Sequence, residues 1–135
     1  MMIPSCHHIG LFTNDPKSLI KFYTEKLGFD EEATKIVSAE LMDKIFGIKS
    51  PCTLTKLKLG QIVLEVIAPQ GLNLKPRDFD VSGYNHWALG VADKERFCQE
   101  LKQKGVAVLE VEREDRKIFF VKDLEGNLIE IYERS

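Results

Sequence analysis

The sequence predicts an α+β fold made of two copies of one strand–helix–strand–strand–strand unit. Three observations carry this. His8-Ile9-Gly10-Leu11-Phe12-Thr13-Asn14-Asp15 lies without a gap on His86-Trp87-Ala88-Leu89-Gly90-Val91-Ala92-Asp93, with His, Leu and Asp coinciding. A helical pattern closed by glycine follows each segment. Each copy then ends on strands that carry a glutamate, Glu65 in the first and Glu130 in the second. A repeat of this length points to duplication and a pseudo-twofold architecture rather than to a solenoid.

The elements follow in order. Ser5 to Thr13 reads as a strand. Asp15 then caps a helix, because its carboxylate can accept an orphan N–H of the first turn, and Pro16 suits the first helical position. Leu19, Phe22, Tyr23 and Leu27 share one face of that helix, and Gly28 ends it. Phe29 opens a strand that stops before Ser38. Ser38 caps a short inserted helix carrying Leu41, Met42, Ile45 and Phe46, closed by Gly47. Thr53 to Leu59 and Ile62 to Ile67 are strands joined by Gly60-Gln61, a hairpin signal. Residues 68–83 hold Pro69, Gly71, Pro76 and Gly83 with little periodicity and read as a linker. The second copy runs from Tyr84 to Val91 as a strand. Asp93 caps a helix carrying Phe97 and Leu101, ended by Gly105. Strands follow over Val106 to Val111, Lys117 to Val121 and Leu128 to Tyr132. Arg113 to Arg116 and Asp123 to Asn127 are the polar turns between them. A single domain over 1–135 is expected, with module one at about 5–67 and module two at about 84–133.

Composition narrows the function. Nineteen Lys and Arg against twenty-one Asp and Glu give a net charge of −2, so neither nucleic acid nor an anionic membrane is an expected partner. The sequence offers no apolar run of membrane-spanning length and no signal-peptide pattern at its start. Cys6, Cys52 and Cys98 are widely spaced and odd in number, which supports neither a zinc ribbon nor a disulfide framework. All three are expected to be small buried hydrophobes, in a protein of a reducing, cytoplasmic compartment.

Strand parity then singles out four residues. Alternate side chains of a strand point to opposite faces. Ile9 and Leu11 face the helix, so His8 points away. Ile62, Leu64 and Val66 share a face, and Glu65 opposes it. Trp87, Leu89 and Val91 leave His86 on the other side, and Ile129 and Ile131 do the same for Glu130. Each half thus offers one His and one Glu on the face its helix leaves open. Two curved sheets could bring all four into one cleft. Two imidazoles and two carboxylates suit a divalent transition metal and leave positions for water or substrate. The plain alternative is that each is a solvated surface residue. His7 is a bystander by parity, though a slip of one residue would exchange it with His8.

At this point the chain resembles the vicinal-oxygen-chelate superfamily, which holds glyoxalase I, bleomycin-resistance proteins and extradiol dioxygenases. The segments that carry the resemblance are HHIGLFTNDPKSLIKFYTEKLGF at 7–29, IVLEVIAP at 62–69, NHWALGVAD at 85–93 and FFVKDLEGNLIEIYE at 119–133. The resemblance implies paired βαβββ modules forming a cupped mixed β-sheet around a metal-binding cleft. It implies metal ligands at His8, Glu65, His86 and Glu130, the set that parity also selects. The ion would be zinc, nickel, cobalt, manganese or iron. It also implies a homodimer acting on a small molecule, and the linker permits a site within one chain or across two.

Within that family the full two-His, two-Glu set resembles glyoxalase I-like lyases and methylmalonyl-CoA epimerase-like isomerases. Extradiol dioxygenases and fosfomycin-resistance enzymes generally use one Glu. Phe12 stands where glutathione-dependent glyoxalases usually carry Arg, and Pro69 where they tend to carry Asn, which weakens the case for glutathione. The expected chemistry is proton abstraction next to a carbonyl, with Glu65 or Glu130 as base and Glu130 the better candidate by resemblance. Phe12, Phe120, Tyr132, Leu41, Met42 and Phe46 are candidates for pocket lining, with ordinary core as the alternative. The other readings are an epimerase-like isomerase, a bleomycin-resistance-type binding protein, which would lack the metal ligands, and a ring-cleaving dioxygenase.

Overall fold

A computed structural model gives the structure and describes residues 1–134. It falls into two compact units, Met1–Lys75 and Pro76 onward. Among the described residues, the first unit holds β1 (Ile9–Phe12), α1 (Pro16–Glu25), β2 (Asp30–Val37), α2 (Ala39–Phe46), β3 (Cys52–Leu59) and β4 (Ile62–Pro69). The second holds β5 (His86–Val91), α3 (Lys94–Gln103), β6 (Val108–Arg113), β7 (Arg116–Lys122) and β8 (Leu128–Glu133). Each unit forms its own four-stranded mixed sheet, ordered β1-β4-β3-β2 in the first and β5-β8-β7-β6 in the second. The first pair in each sheet is parallel and the others are antiparallel.

The helix signals act as their chemistry requires. Asp15 Oδ1 accepts the Ser18 backbone N–H at 3.1 Å and Asp93 Oδ1 accepts that of Arg96 at 3.0 Å. Hydrogen bonding from Ser18 holds the Asp15 carboxyl below its ordinary value. Ser38 Oγ accepts the Leu41 N–H at 3.2 Å, and Gly47 ends α2 in the left-handed region at φ 70°.

Each long helix covers one face of its sheet. In the first unit Leu19, Phe22 and Tyr23 of α1 are buried, as are Leu11, Thr55, Leu57, Leu64 and Val66 of the strands. In the second unit the buried residues are Cys98 and Leu101 of α3 with Leu89, Phe119, Val121, Ile129 and Ile131. Removal of these apolar side chains from water drives each layer together. Lys102 Nζ reaches Glu110 Oε1 at 3.3 Å and ties α3 to β6, and this contact lowers the Glu110 carboxyl.

Several sequence expectations change, among them the bounds of β6, which runs Val108–Arg113 rather than from Val106. β1 begins at Ile9 and β5 at His86, later than Ser5 and Tyr84. The residues ahead of β5 give their carbonyls to a side chain instead of a ladder: Arg77 takes those of Tyr84 and Asn85. β4 runs on through Ala68 and Pro69, because β3 pairs with both. Cys6 is exposed, whereas Cys52 and Cys98 are buried, and burial pushes the Cys98 thiol up to about 11.

Candidate metal centre

The register explains how each unit sets a carboxylate on its open face. In β4, Glu65 lies beside Gly10 of β1 and Lys56 of β3. In β8, Glu130 lies beside Ala88 of β5 and Phe120 of β7. The residue two positions after each histidine, which pairs with the glutamate, is small: Gly10 in the first unit and Ala88 in the second. His8 Nε2 stands 3.1 Å from Glu65 Oε1, and His86 Nε2 stands 3.4 Å from Glu130 Oε1. His8 makes this approach from just outside β1, one residue before the strand begins. All four side chains are partly open to solvent.

The structure brings together His8 with Glu65 and His86 with Glu130. Among the described residues it gathers no group of three or more His, Cys, Asp or Glu that could hold a metal ion. Each pair by itself has the spacing of neighbouring ligands on one ion. Bonds of about 2.0–2.2 Å to nitrogen and oxygen place adjacent donors about 3.0–3.4 Å apart.

The second pair carries a further sign. His86 Nδ1 lies 2.7 Å from Asn85 Oδ1, and an amide oxygen only accepts. With the ring proton on Nδ1 that contact is a hydrogen bond, and Nε2 then presents its lone pair toward the Glu130 carboxylate. Two acceptors that close want a proton or a cation shared between them. The donor set and its spacing fit a divalent ion. In the first pair, His8 Nδ1 meets His7 Nδ1 at 2.9 Å, so His7 lends its neighbour a ring contact rather than standing apart.

The apolar candidates divide. Met42 is buried with Cys52 and Ile67 as core, not as pocket lining. Phe12 and Phe46 meet edge to face at 5.4 Å and remain partly exposed. Phe120 stands edge to face on His86 at 5.1 Å, and Tyr132 is exposed on the same open face. Asn85 and Arg77, which the structure places beside His86, are not among the residues that strand parity selects. An amide directly before a candidate ligand histidine was a legible signal for Asn85. Nothing in the sequence places Arg77 beside it.

Comparison with known proteins agrees with this architecture. The family model of the Glyoxalase/Bleomycin resistance protein/Dioxygenase superfamily matches residues 5–131, and the chain belongs to that superfamily. Among solved structures it is similar to the trypanothione-dependent glyoxalase I of Leishmania major, at 27% identity and TM-score 0.71, covering 97% of this chain and 87% of that one. A glyoxylase/bleomycin resistance protein/dioxygenase domain from Frankia sp. EAN1pec superposes with TM-score 0.77 at 16% identity, covering 99% and 100% of the two chains. The genomically encoded fosfomycin resistance protein of Listeria monocytogenes does so with TM-score 0.67 at 19% identity, covering 97% and 94%. The last two likenesses speak to fold alone. No curated protein sequence matches the chain. No helix among the described residues is long and apolar enough to cross a membrane.

Proposed function

We propose that this chain is a metal-dependent lyase or isomerase that abstracts a proton next to a carbonyl of a small molecule, with His8, Glu65, His86 and Glu130 as the metal ligands. The carrying observation is the duplicated His–Glu pair, at 3.1 Å in one unit and 3.4 Å in the other. The bound ion would supply Lewis-acid stabilisation of the negative charge that develops on the carbonyl oxygen. The chain's own part is to hold the carbonyl compound and to move its proton. Phe120 and Tyr132 offer apolar and aromatic surface beside the Glu130 carboxylate. Glu130 is favoured as the base: it faces Phe120 on the neighbouring strand, whereas Glu65 faces a cation, Lys56. The carboxylate would accept the proton from carbon and return it. Return to the neighbouring carbon gives a glyoxalase-type isomerisation, and return to the other face of the same carbon gives an epimerisation. Phe12 and Pro69 offer no partner for the carboxylates of glutathione, which favours other carriers of the substrate.

The test is metal analysis of the purified protein beside His86→Ala and Glu130→Ala. About one divalent ion per chain is expected, with affinity falling by more than the roughly 10–100-fold that loss of an outer-shell partner brings. Circular dichroism should stay unchanged. Metal-loaded protein should then turn over a 2-oxoaldehyde thiohemiacetal or an acyl-CoA ester. Failure to bind any divalent ion, or inactivity of the loaded protein on every such substrate, would sink the proposal. Activity that falls on dilution would show that two chains complete the site. Ligand binding that survives chelation would instead identify a binding protein.

A further inference from the structure

We infer that Arg77 and Asn85 are positioning residues that fix the ring of His86 with its Nε2 lone pair toward Glu130; this rests on the proposed role of His86 as a ligand. His86 opens β5 and has no preceding strand to steady it. Two contacts replace that support. The Arg77 guanidinium donates from Nη1 to the Tyr84 carbonyl at 2.7 Å and from Nη2 to the Asn85 carbonyl at 2.9 Å. A planar fork that spans two successive carbonyls holds the orientation of the peptide between them. Asn85 Oδ1 lies 2.7 Å from His86 Nδ1, placed to accept a proton carried there.

Arg77 is itself anchored. Its backbone N–H donates to the Glu125 carbonyl at 3.3 Å, in the turn that leads into β8 and so to Glu130. That turn is built on Asp123, whose carboxylate accepts from the Glu125 and Asn127 backbone N–H groups and from the Asn127 side chain, each at 2.9 Å. Gly126 completes it: a Cβ there would stand 3.0 Å from the Arg77 carbonyl oxygen. One continuous set of contacts therefore runs from the turn before the glutamate strand to the ring of the histidine that faces that glutamate. A histidine that binds a metal through one nitrogen is commonly oriented by a hydrogen bond at the other.

The test reads the ring proton directly. Long-range proton–nitrogen correlation spectra of the metal-free protein, taken where the imidazole is neutral, should show the His86 proton on Nδ1. Asn85→Ala should move it to Nε2, with the fold intact because Arg77 holds only backbone carbonyls at this position. Asn85→Asp keeps an acceptor oxygen in place and should restore the Nδ1 form. Arg77→Ala should give a mixture of tautomers, and Arg77→Lys should not repair it. Zinc affinity should fall about 10–100-fold in Asn85→Ala and recover in Asn85→Asp. A wild-type ring protonated on Nε2 overturns the inference, as does an Asn85→Ala protein that keeps the Nδ1 form or binds zinc as tightly as before. Should the wild type take up no divalent ion, the proposed function falls, while the tautomers still decide the hold on His86.

Discussion

In the first unit Glu65 sits between Gly10 and Lys56; in the second Glu130 sits between Ala88 and Phe120. The same face of the first sheet also carries Lys58, and α2 packs onto its far end through Met42, Cys52 and Ile67. Among its described residues the second unit has no counterpart of α2, and its open face leaves Leu109, Val111 and Tyr132 exposed. The His–Glu pair is common to the two units. Its surroundings have diverged in charge, in bulk and in cover. In the proposed function, chemistry that depends on the pair is thus separable from choice of substrate, which would depend on what lies around it. The histidines are also held differently, His8 against His7 and His86 by Asn85.

The largest difference expected on mutation lies in the turns that lead into the two glutamate strands. Gly60 and Gly126 both have positive φ, 57° and 83°. Nothing lies within 4 Å of a Cβ built on Gly60, but one on Gly126 meets the Arg77 carbonyl oxygen at 3.0 Å. Gly60→Ala should therefore cost only the roughly 1–2 kcal/mol of a left-handed alanine. Gly126→Ala should cost more, because backbone must also shift. Urea denaturation of the two variants measures this. Equal losses would mean that Arg77 is not packed against the turn.

Much of this was legible beforehand. The caps Asp15, Ser38 and Asp93 act through bonds to their own first turn, so sequence spacing alone locates them. Glu65 and Glu130 were found by parity, because Leu64, Val66, Ile129 and Ile131 fix which side is buried. The start of β5 was not legible. Tyr84 and Asn85 suit a strand by composition, but their carbonyls are taken by Arg77, seven and eight residues away and with no local pattern to announce it. For Met42 the sequence offered core or pocket lining: helical spacing puts it on an apolar face, and the position of α2 over Cys52 makes it core.

A smaller effect should follow from exchanging the charge beside one glutamate for the neutrality beside the other. Lys56 reaches toward Glu32 at 3.7 Å, yet it remains the cross-strand neighbour of Glu65. A unit charge some 8 Å from a divalent ion in a solvent-like dielectric opposes it by about 1 kcal/mol. Lys56→Met should tighten zinc binding about fivefold, and Phe120→Lys should weaken it by a like amount. Both changes should shrink in added salt, because exposed charges are screened. Titration against a chelator of known affinity decides it, and an unchanged constant in Lys56→Met would place Glu65 outside the metal's reach.

The smallest effect tests whether the small neighbour beside each glutamate is a shared requirement or a relic. Gly10 occupies the place of Ala88, lies in a strand and has no positive φ. A Cβ there would meet only Ile67 Cδ1, at 3.7 Å, an ordinary contact. Gly10→Ala should thus stabilise the first unit by about 0.4–1 kcal/mol, through loss of freedom in the unfolded chain. It should leave metal affinity unchanged, since the second unit already carries an alanine, Ala88, beside its glutamate. A loss of affinity in Gly10→Ala would show that the His8 ring lies closer to its strand than His86 does to its own. The two pairs would then differ in geometry as well as in surroundings.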